Sequence, residues 1–272
     1  MLKISNSNYF LPTIEALSPH RELGSGRTKP MLIRGVCQTQ HTKSDYVVKY
    51  KNAKEMSIES SCRELIASTI AMELELHIPP PALINITPQF IGTLNGFECA
   101  PVAQKSAGIN FGCEYFAGYM ELLSGQKLNN KQLYDAQRTF AFDVFISNSD
   151  RRRDKQNMLT NGESILIFDH EAAFGFILAL PMFRSKTPWI IPEWDKVWIK
   201  NHYLFDRMKY GEDNFSSFID NLSVLDKNFW DKMYNLLPKE WVTEQVNDII
   251  IYLQAIVENK EKFLKELNQV LL

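Results

Sequence analysis

The sequence predicts an α+β fold in two unequal lobes, a small β-rich N-lobe with one main helix and a larger, mostly helical C-lobe. Three features predict it. Short β-branched and aromatic runs fill the first hundred residues, one long stretch among them lacks Gly and Pro, and beyond about residue 105 apolar residues recur at helical spacing. The expected division is 1–104 and 105–272, with a cleft between the lobes where a site would form. At 272 residues, folding buries about three quarters of the unfolded surface, so no disulfide or metal staple is required.

Each element follows from its local pattern. Residues 21–30 (RELGSGRTKP) contain two glycines and a proline and read as a loop. Met31–Val36 and Tyr46–Tyr50 read as strands. Ser57–His77 reads as the main helix, with Cys62, Leu65, Ile66, Thr69 and Ile70 at helical spacing and Pro79–Pro81 ending the run. Ala82–Ile86 and Gly96–Ala103 read as further β pieces. Lys131–Ser147 reads as a helix with Leu133, Ala136, Phe140 and Val144 on one stripe. Met158–Thr160 and Ser164–Phe168 read as a hairpin turning at Asn161–Gly162. The C-terminal stripe from Val242 to Val270 reads as an amphipathic core helix or helix pair, with Lys260 interrupting the series.

Composition narrows the function. Lys and Arg total 30 against 32 Asp and Glu, a net charge of −2. This argues against direct nucleic-acid binding, since the only basic triplet is Arg151–Arg153. The four cysteines, Cys37, Cys62, Cys99 and Cys113, form no CxxC and read as reduced thiols. The N-terminal residues lack the apolar run of a signal peptide, and no apolar stretch approaches the ~20 residues of a membrane helix. A soluble, cytoplasmic protein with no membrane partner is expected.

The densest polar cluster is FDVFISNSDRRRDKQN, Phe142–Asn157, followed by ILIFDHEAAFG. Asp150 ends a helical run, Asn157 opens the hairpin and Asp169 ends it. Phosphoryl transfer needs such a set: one carboxylate to accept a hydroxyl proton, and an amide oxygen with a second carboxylate to hold Mg²⁺. Taken singly, each residue has a plain alternative. Lys49 alone would be a solvated edge lysine, and Glu64, on a helix face with Ser68 and Glu75, an exposed glutamate. Arg151–Arg153 would be a solvated charge run, or Arg151 would brace Asp150 or contact phosphate. Asp150 and Asp169 would be caps and His170 a packed histidine.

SNSDRR, a downstream Asn and IFDHEAAFG together resemble the HipA-like branch of the protein-kinase superfamily. DYVVKY with Lys49, SCRELIAS with Glu64, HIPPPALINI, FGCEYF and LPKEW extend the resemblance across most of the chain. The resemblance implies a bilobal protein-kinase-like fold and an ATP- and Mg²⁺-dependent kinase acting on serine or threonine of a protein. It implies that Lys49 holds the α/β-phosphates and is oriented by Glu64. Asp150 would be the catalytic base, and Asn157 and Asp169 would ligate Mg²⁺. Gly24, Ser25 and Gly26 would lie over the phosphates, with Ser25 or Thr28 matching the loop position that some relatives phosphorylate.

Three departures stand out. Asp150 to Asn157 spans seven residues where HRDxxxxN spans five, and Lys155 stands at the fifth. Either the loop holds two extra residues or the ligand is another group, Asp154 being the competitor. Asp169 is followed by His170–Glu171 rather than Phe–Gly, and GSGRTKP lacks a third glycine. The spacing motivates an alternative, a pseudokinase or nucleotide-binding regulatory protein acting through a protein partner. A metal-dependent nuclease or phosphatase using Asp150, Asp154, Asp169 and Glu171 is a further alternative, one that leaves Lys49 and Glu64 without a role.

Overall fold

The computed structural model describes residues 2–24, 29–54, 56–123, 125–178, 182, 185–210 and 215–272. The architecture is mixed, 43% helical and 19% strand, with a β-rich N-terminal region and a helical C-terminal part.

Five strands close into a barrel in the order β1 (Thr13–Glu22), β2 (Met31–Cys37), β3 (Lys43–Lys49), β5 (Gly108–Glu114), β4 (Pro81–Ile86). All neighbours run antiparallel except β1 and β4, which are parallel. β1 was not anticipated. Its sequence, TIEALSPHRE, holds a proline and is broken by two register shifts against β2, so no clean alternation marks it. β5 closes the barrel from beyond residue 105, the point where the change of class was expected. Ile14, Ile33, Tyr46, Val48, Ile84 and Ile86 fill the barrel interior.

The main helix, α1 (Ile58–Glu73), begins at Ser57, whose side chain accepts the Ser60 N–H. It packs against β4 and β5 on one side and against helical elements of the C-terminal part on the other. It is therefore buried on nearly every face, including Glu64, Ser68 and Glu73. The next segment departs from expectation. Gly96–Ala103 forms no strand; Pro88–Gly92 and Ala100–Lys105 are short helices (α2 and α3), each with a proline in its first turn, where no N–H is needed.

The C-terminal part starts from α4 (Asn130–Phe145), which opens with a reciprocal cap between Asn129 and Gln132. A three-stranded sheet combines β6 (Met120–Glu121), which precedes α4, with β7 (Met158–Thr160) and β8 (Ile165–Ile167), which follow it, β7 lying in the centre. The hairpin turn is as expected: Asn161 Oδ1 accepts the N–H groups of Glu163 and Ser164, and Gly162 takes φ 88°. Helices α5 (Glu193–Lys200), α6 (Phe205–Lys209), α7 (Ser216–Asn221) and α8 (Lys227–Leu236) lead to α9 (Glu244–Glu258) and α10 (Lys260–Val270). The last two are a helix pair broken at Asn259, beside the Lys260 that interrupts the apolar series. Val246, Ile249, Leu253, Ile256, Phe263, Leu267 and Val270 are buried. The four cysteines are free thiols. Among the described residues, no helix is long and apolar enough to cross a membrane.

Barrel closure leaves no room at Gly112. A Cβ there would lie 2.6 Å from the Val47 carbonyl and against the Ile84 side chain, and the backbone of β3 has nowhere to move. Gly112→Ala is expected to destabilise by about 1–3 kcal/mol, the usual cost of overpacking. Urea unfolding checks this; an unchanged midpoint would mean that β3 and β5 are less closely apposed.

Candidate active site

Side chains alternate along β3. Tyr46 and Val48 enter the barrel, so Lys49 points out of it, toward α1 and the segment after β8. Its Nζ lies 2.6 Å from Asp169 Oδ1, 3.3 Å from Glu64 Oε2 and 3.5 Å from Glu171 Oε2. One ammonium group thus joins the barrel, the main helix and the chain that leaves the hairpin. Glu64 is 3% exposed, not the solvated glutamate its helix face suggests. It also accepts the His170 N–H at 2.7 Å, which holds the post-strand segment against α1. Arg63 adds a second tie by donating to the Glu171 carbonyl at 3.0 Å.

A second lysine stands on the other side of Asp169. Lys155 Nζ bonds Asp150 Oδ2 and lies 3.1 Å from Asp169 Oδ2. Lys49, Glu64, Asp150 and Asp169, ordered along the chain as a kinase requires, therefore form one connected ionic cluster. Asn157 lies beside it, and its carbonyl accepts the Phe168 N–H at 3.3 Å. Its Nδ2 is buried without a hydrogen-bond partner. Asn157 and Asp169 both take positive φ, 45° and 63°, a region that Asn and Asp tolerate better than other non-Gly residues. Asp154 is 72% exposed and pairs with Arg152 at 3.1 Å. Gly24, two residues past the end of β1, has φ +62°, while Ser25, Gly26 and Thr28 lie outside the described residues.

The charges are unevenly shared. Burial opposes the charge on Lys49, but Asp169, Glu64 and Glu171 outweigh it and hold the pKa well above the usual lysine value. Burial likewise opposes ionisation of Asp169, and Lys49 with Lys155 hold its carboxyl well below the usual range. Burial pushes Glu64 up to about 7 against the pull of Lys49. Lys49 lies nearest Asp169 and Lys155 adds its charge there, which leaves Glu64 and Glu171 under-compensated. Glu64, Asp169 and Glu171 each place an oxygen within 4.8 Å of the others. Hard carboxylate oxygens of this kind suit Mg²⁺, so the residue set fits the ion that the resemblance implies.

Beneath the cluster lies a buried ionic core that the sequence reading did not anticipate. Arg151 is fully buried, its Nε 2.6 Å from Asp143 Oδ2. Its other nitrogens reach the carbonyls of Asn157 and Phe168 and the Nε2 of His170. Arg151 therefore braces the loop and the hairpin ends rather than Asp150 itself. Asp143 also accepts from Asn148 Nδ2 at 2.8 Å and faces His202 Nε2 at 3.0 Å. Burial opposes ionisation of Asp143, but Arg151 and His202 hold its pKa well below the usual range. Asp143 sits inside FDVF and His202 far along the chain, so no local signal links them.

A strand lysine paired with a helix glutamate, and two aspartates drawn together from a loop and a post-strand segment, meet the charge requirements of phosphoryl transfer. The family model described as HipA-like kinase matches residues 20–270, nearly the whole chain, and the protein belongs to that family. Its function is accordingly of the kinase type. No curated protein matches the chain.

Two measurements probe the buried core. Asp143→Ala strands the Arg151 charge and is expected to cost about 3–5 kcal/mol in chemical unfolding. His170 is buried beside Arg151, and burial first, then Arg151, lowers its pKa to about 3. The unfolded chain takes up this proton below pH ~6.5 and the folded chain does not until about 3. Stability therefore falls as pH drops through this window, by up to about 1.4 kcal/mol per unit. His170→Gln is expected to flatten melting temperature against pH between 6.5 and 4.5; parallel curves would mean that His170 is protonated in the fold.

Proposed function

We propose that the protein is an ATP- and Mg²⁺-dependent kinase that transfers the γ-phosphoryl group to a serine or threonine hydroxyl of a protein substrate, on a bilobal kinase-like fold. The observation that carries this reading is the convergence of Lys49, Glu64, Asp150 and Asp169, in kinase order, on one ionic cluster. Lys49 would hold the α/β-phosphates, with Glu64 fixing its ammonium. Asp150, on the loop after α4, would orient the acceptor hydroxyl and take its proton. Asp169 and Asn157 would hold Mg²⁺, with Glu171 beside them, and the ion would neutralise charge developing on the phosphates. The barrel, residues 108–114 included, would form the nucleotide-binding N-lobe together with Gly24, Ser25 and Gly26, and the helical part the catalytic C-lobe.

A second reading keeps the fold and drops the transfer, leaving a pseudokinase or nucleotide-binding regulator that acts through a protein partner. The occupation of Asp150 by Lys155 favours it.

ATP with Mg²⁺ is expected to raise the melting temperature, and Asp169→Asn to abolish the Mg²⁺-dependent part of that rise. Labelled ATP is expected to phosphorylate the protein itself or a mixed protein acceptor, with loss of at least a hundredfold in rate in Asp150→Ala, the lower range for a general base. Stabilisation without transfer in the wild type would select the second reading. Neither stabilisation nor transfer would remove both.

A further inference from the structure

We infer that Lys155 is a built-in cation standing where a kinase of this kind would take a second divalent ion, so that this protein binds its nucleotide with a single one. The inference rests on the nucleotide-binding reading above and adds the metal count of that same site.

Three observations support it. First, five residues past Asp150, the spacing at which a kinase catalytic loop carries its metal-binding amide, the chain has Lys155. Second, the ammonium group stands on the oxygen of Asp169 that faces the loop, where a second ion would sit: it lies 3.1 Å from Asp169 Oδ2 and also bonds Asp150 Oδ2. Its backbone is fixed by reciprocal hydrogen bonds with Arg152, Arg152 N–H to Lys155 O at 2.9 Å and Lys155 N–H to Arg152 O at 3.1 Å. The bridge therefore starts from a fixed point of the loop, and its ammonium group is held by the two carboxylates. Third, the competing carboxylate of the loop is engaged elsewhere, since Asp154 is largely exposed and paired with Arg152. The side-chain amide of Asn157, whose Nδ2 has no hydrogen-bond partner, is left for the one ion held with Asp169.

The two oxygens of Asp169 thus have different surroundings. Oδ2 is given to Lys155. Oδ1 faces Lys49, with the carboxylates of Glu64 and Glu171 close by, and this is the side rich in oxygen donors. One exchangeable divalent ion fits there, because three carboxylates face the single charge of Lys49. The opposite side already carries a fixed single positive charge, and a divalent ion entering it would meet that charge at close range. A lysine brings one unit of charge where an ion brings two, so the site would neutralise less phosphate charge but would not depend on a second, weakly held ion.

The test is a titration of Mn²⁺ into the full chain with an equimolar non-hydrolysable ATP analogue, following free Mn²⁺ by its paramagnetic resonance signal. The wild type is expected to bind one Mn²⁺ per chain. Lys155→Asn, which supplies an amide oxygen and removes the charge, is expected to bind two, and Lys155→Met, which removes the charge without adding a ligand, is expected to bind one. The Lys155 side chain is 40% exposed, and a thermal melt checks that both variants fold. Two ions in the wild type, or one in Lys155→Asn with the analogue bound, would overturn the inference alone. Failure of the analogue to bind the wild type at any Mn²⁺ concentration would overturn the nucleotide-binding reading and this inference with it.

Discussion

The ion pair between Lys49 and Asp169 joins residues 120 positions apart in the chain, and the rest of the site is arranged around it. Lys49 comes from the last residue of a barrel strand and Asp169 from the chain just past a hairpin in the helical part. Burying either charge alone would be costly, so each makes the other's position tolerable. Glu64 joins them because α1 lies between barrel and helical part and offers its carboxylate to both, to Lys49 and to the His170 N–H. The three carboxylates around one lysine exceed what it can neutralise. That surplus of negative charge makes the cluster fit for a divalent ion as well as for an internal salt bridge.

The buried Asp143–Arg151 pair serves a different purpose. Arg151 spends its remaining donors on the carbonyls of Asn157 and Phe168, which lie at the open end of the β7–β8 hairpin. It thereby fixes the two residues, Asn157 and Asp169, whose backbones turn to positive φ there. Asp150, one residue before Arg151, inherits its position from the same anchor. The side chains proposed for the chemistry are thus set by a charge network beneath them that touches no solvent, and preorganisation of this kind is what electrostatic catalysis demands.

Much of this was legible in the sequence because the informative residues sit at element boundaries. Lys49 ends a β-rich run, Asp169 follows a short apolar strand, and Asn161–Gly162 marks the hairpin between the loop and Asp169. The misreadings have physical causes. Gly96–Ala103 contains enough apolar residues to pass for a strand, but Pro101 opens a helix there. Glu64 was open to reading as exposed because it shares a helix face with Ser68 and Glu75, whereas α1 is packed on both sides and buries Glu64 and Ser68 alike. Lys155 and Glu171 are charged residues in a charged stretch, and only the three-dimensional register shows that Lys155 turns onto Asp169 and Glu171 onto Lys49. His202 and Asp143, 59 residues apart, carry no shared pattern at all.

The central claim is that this cluster receives the phosphates of a nucleotide, and a crystal structure with a non-hydrolysable ATP analogue and Mg²⁺ tests it most directly. The expected result is phosphate oxygens against Lys49, the ion on Asp169, and Glu64 still paired with Lys49. A nucleotide seated elsewhere, or Lys49 still closed on Asp169 with no ion beside it at saturating analogue, would contradict the claim.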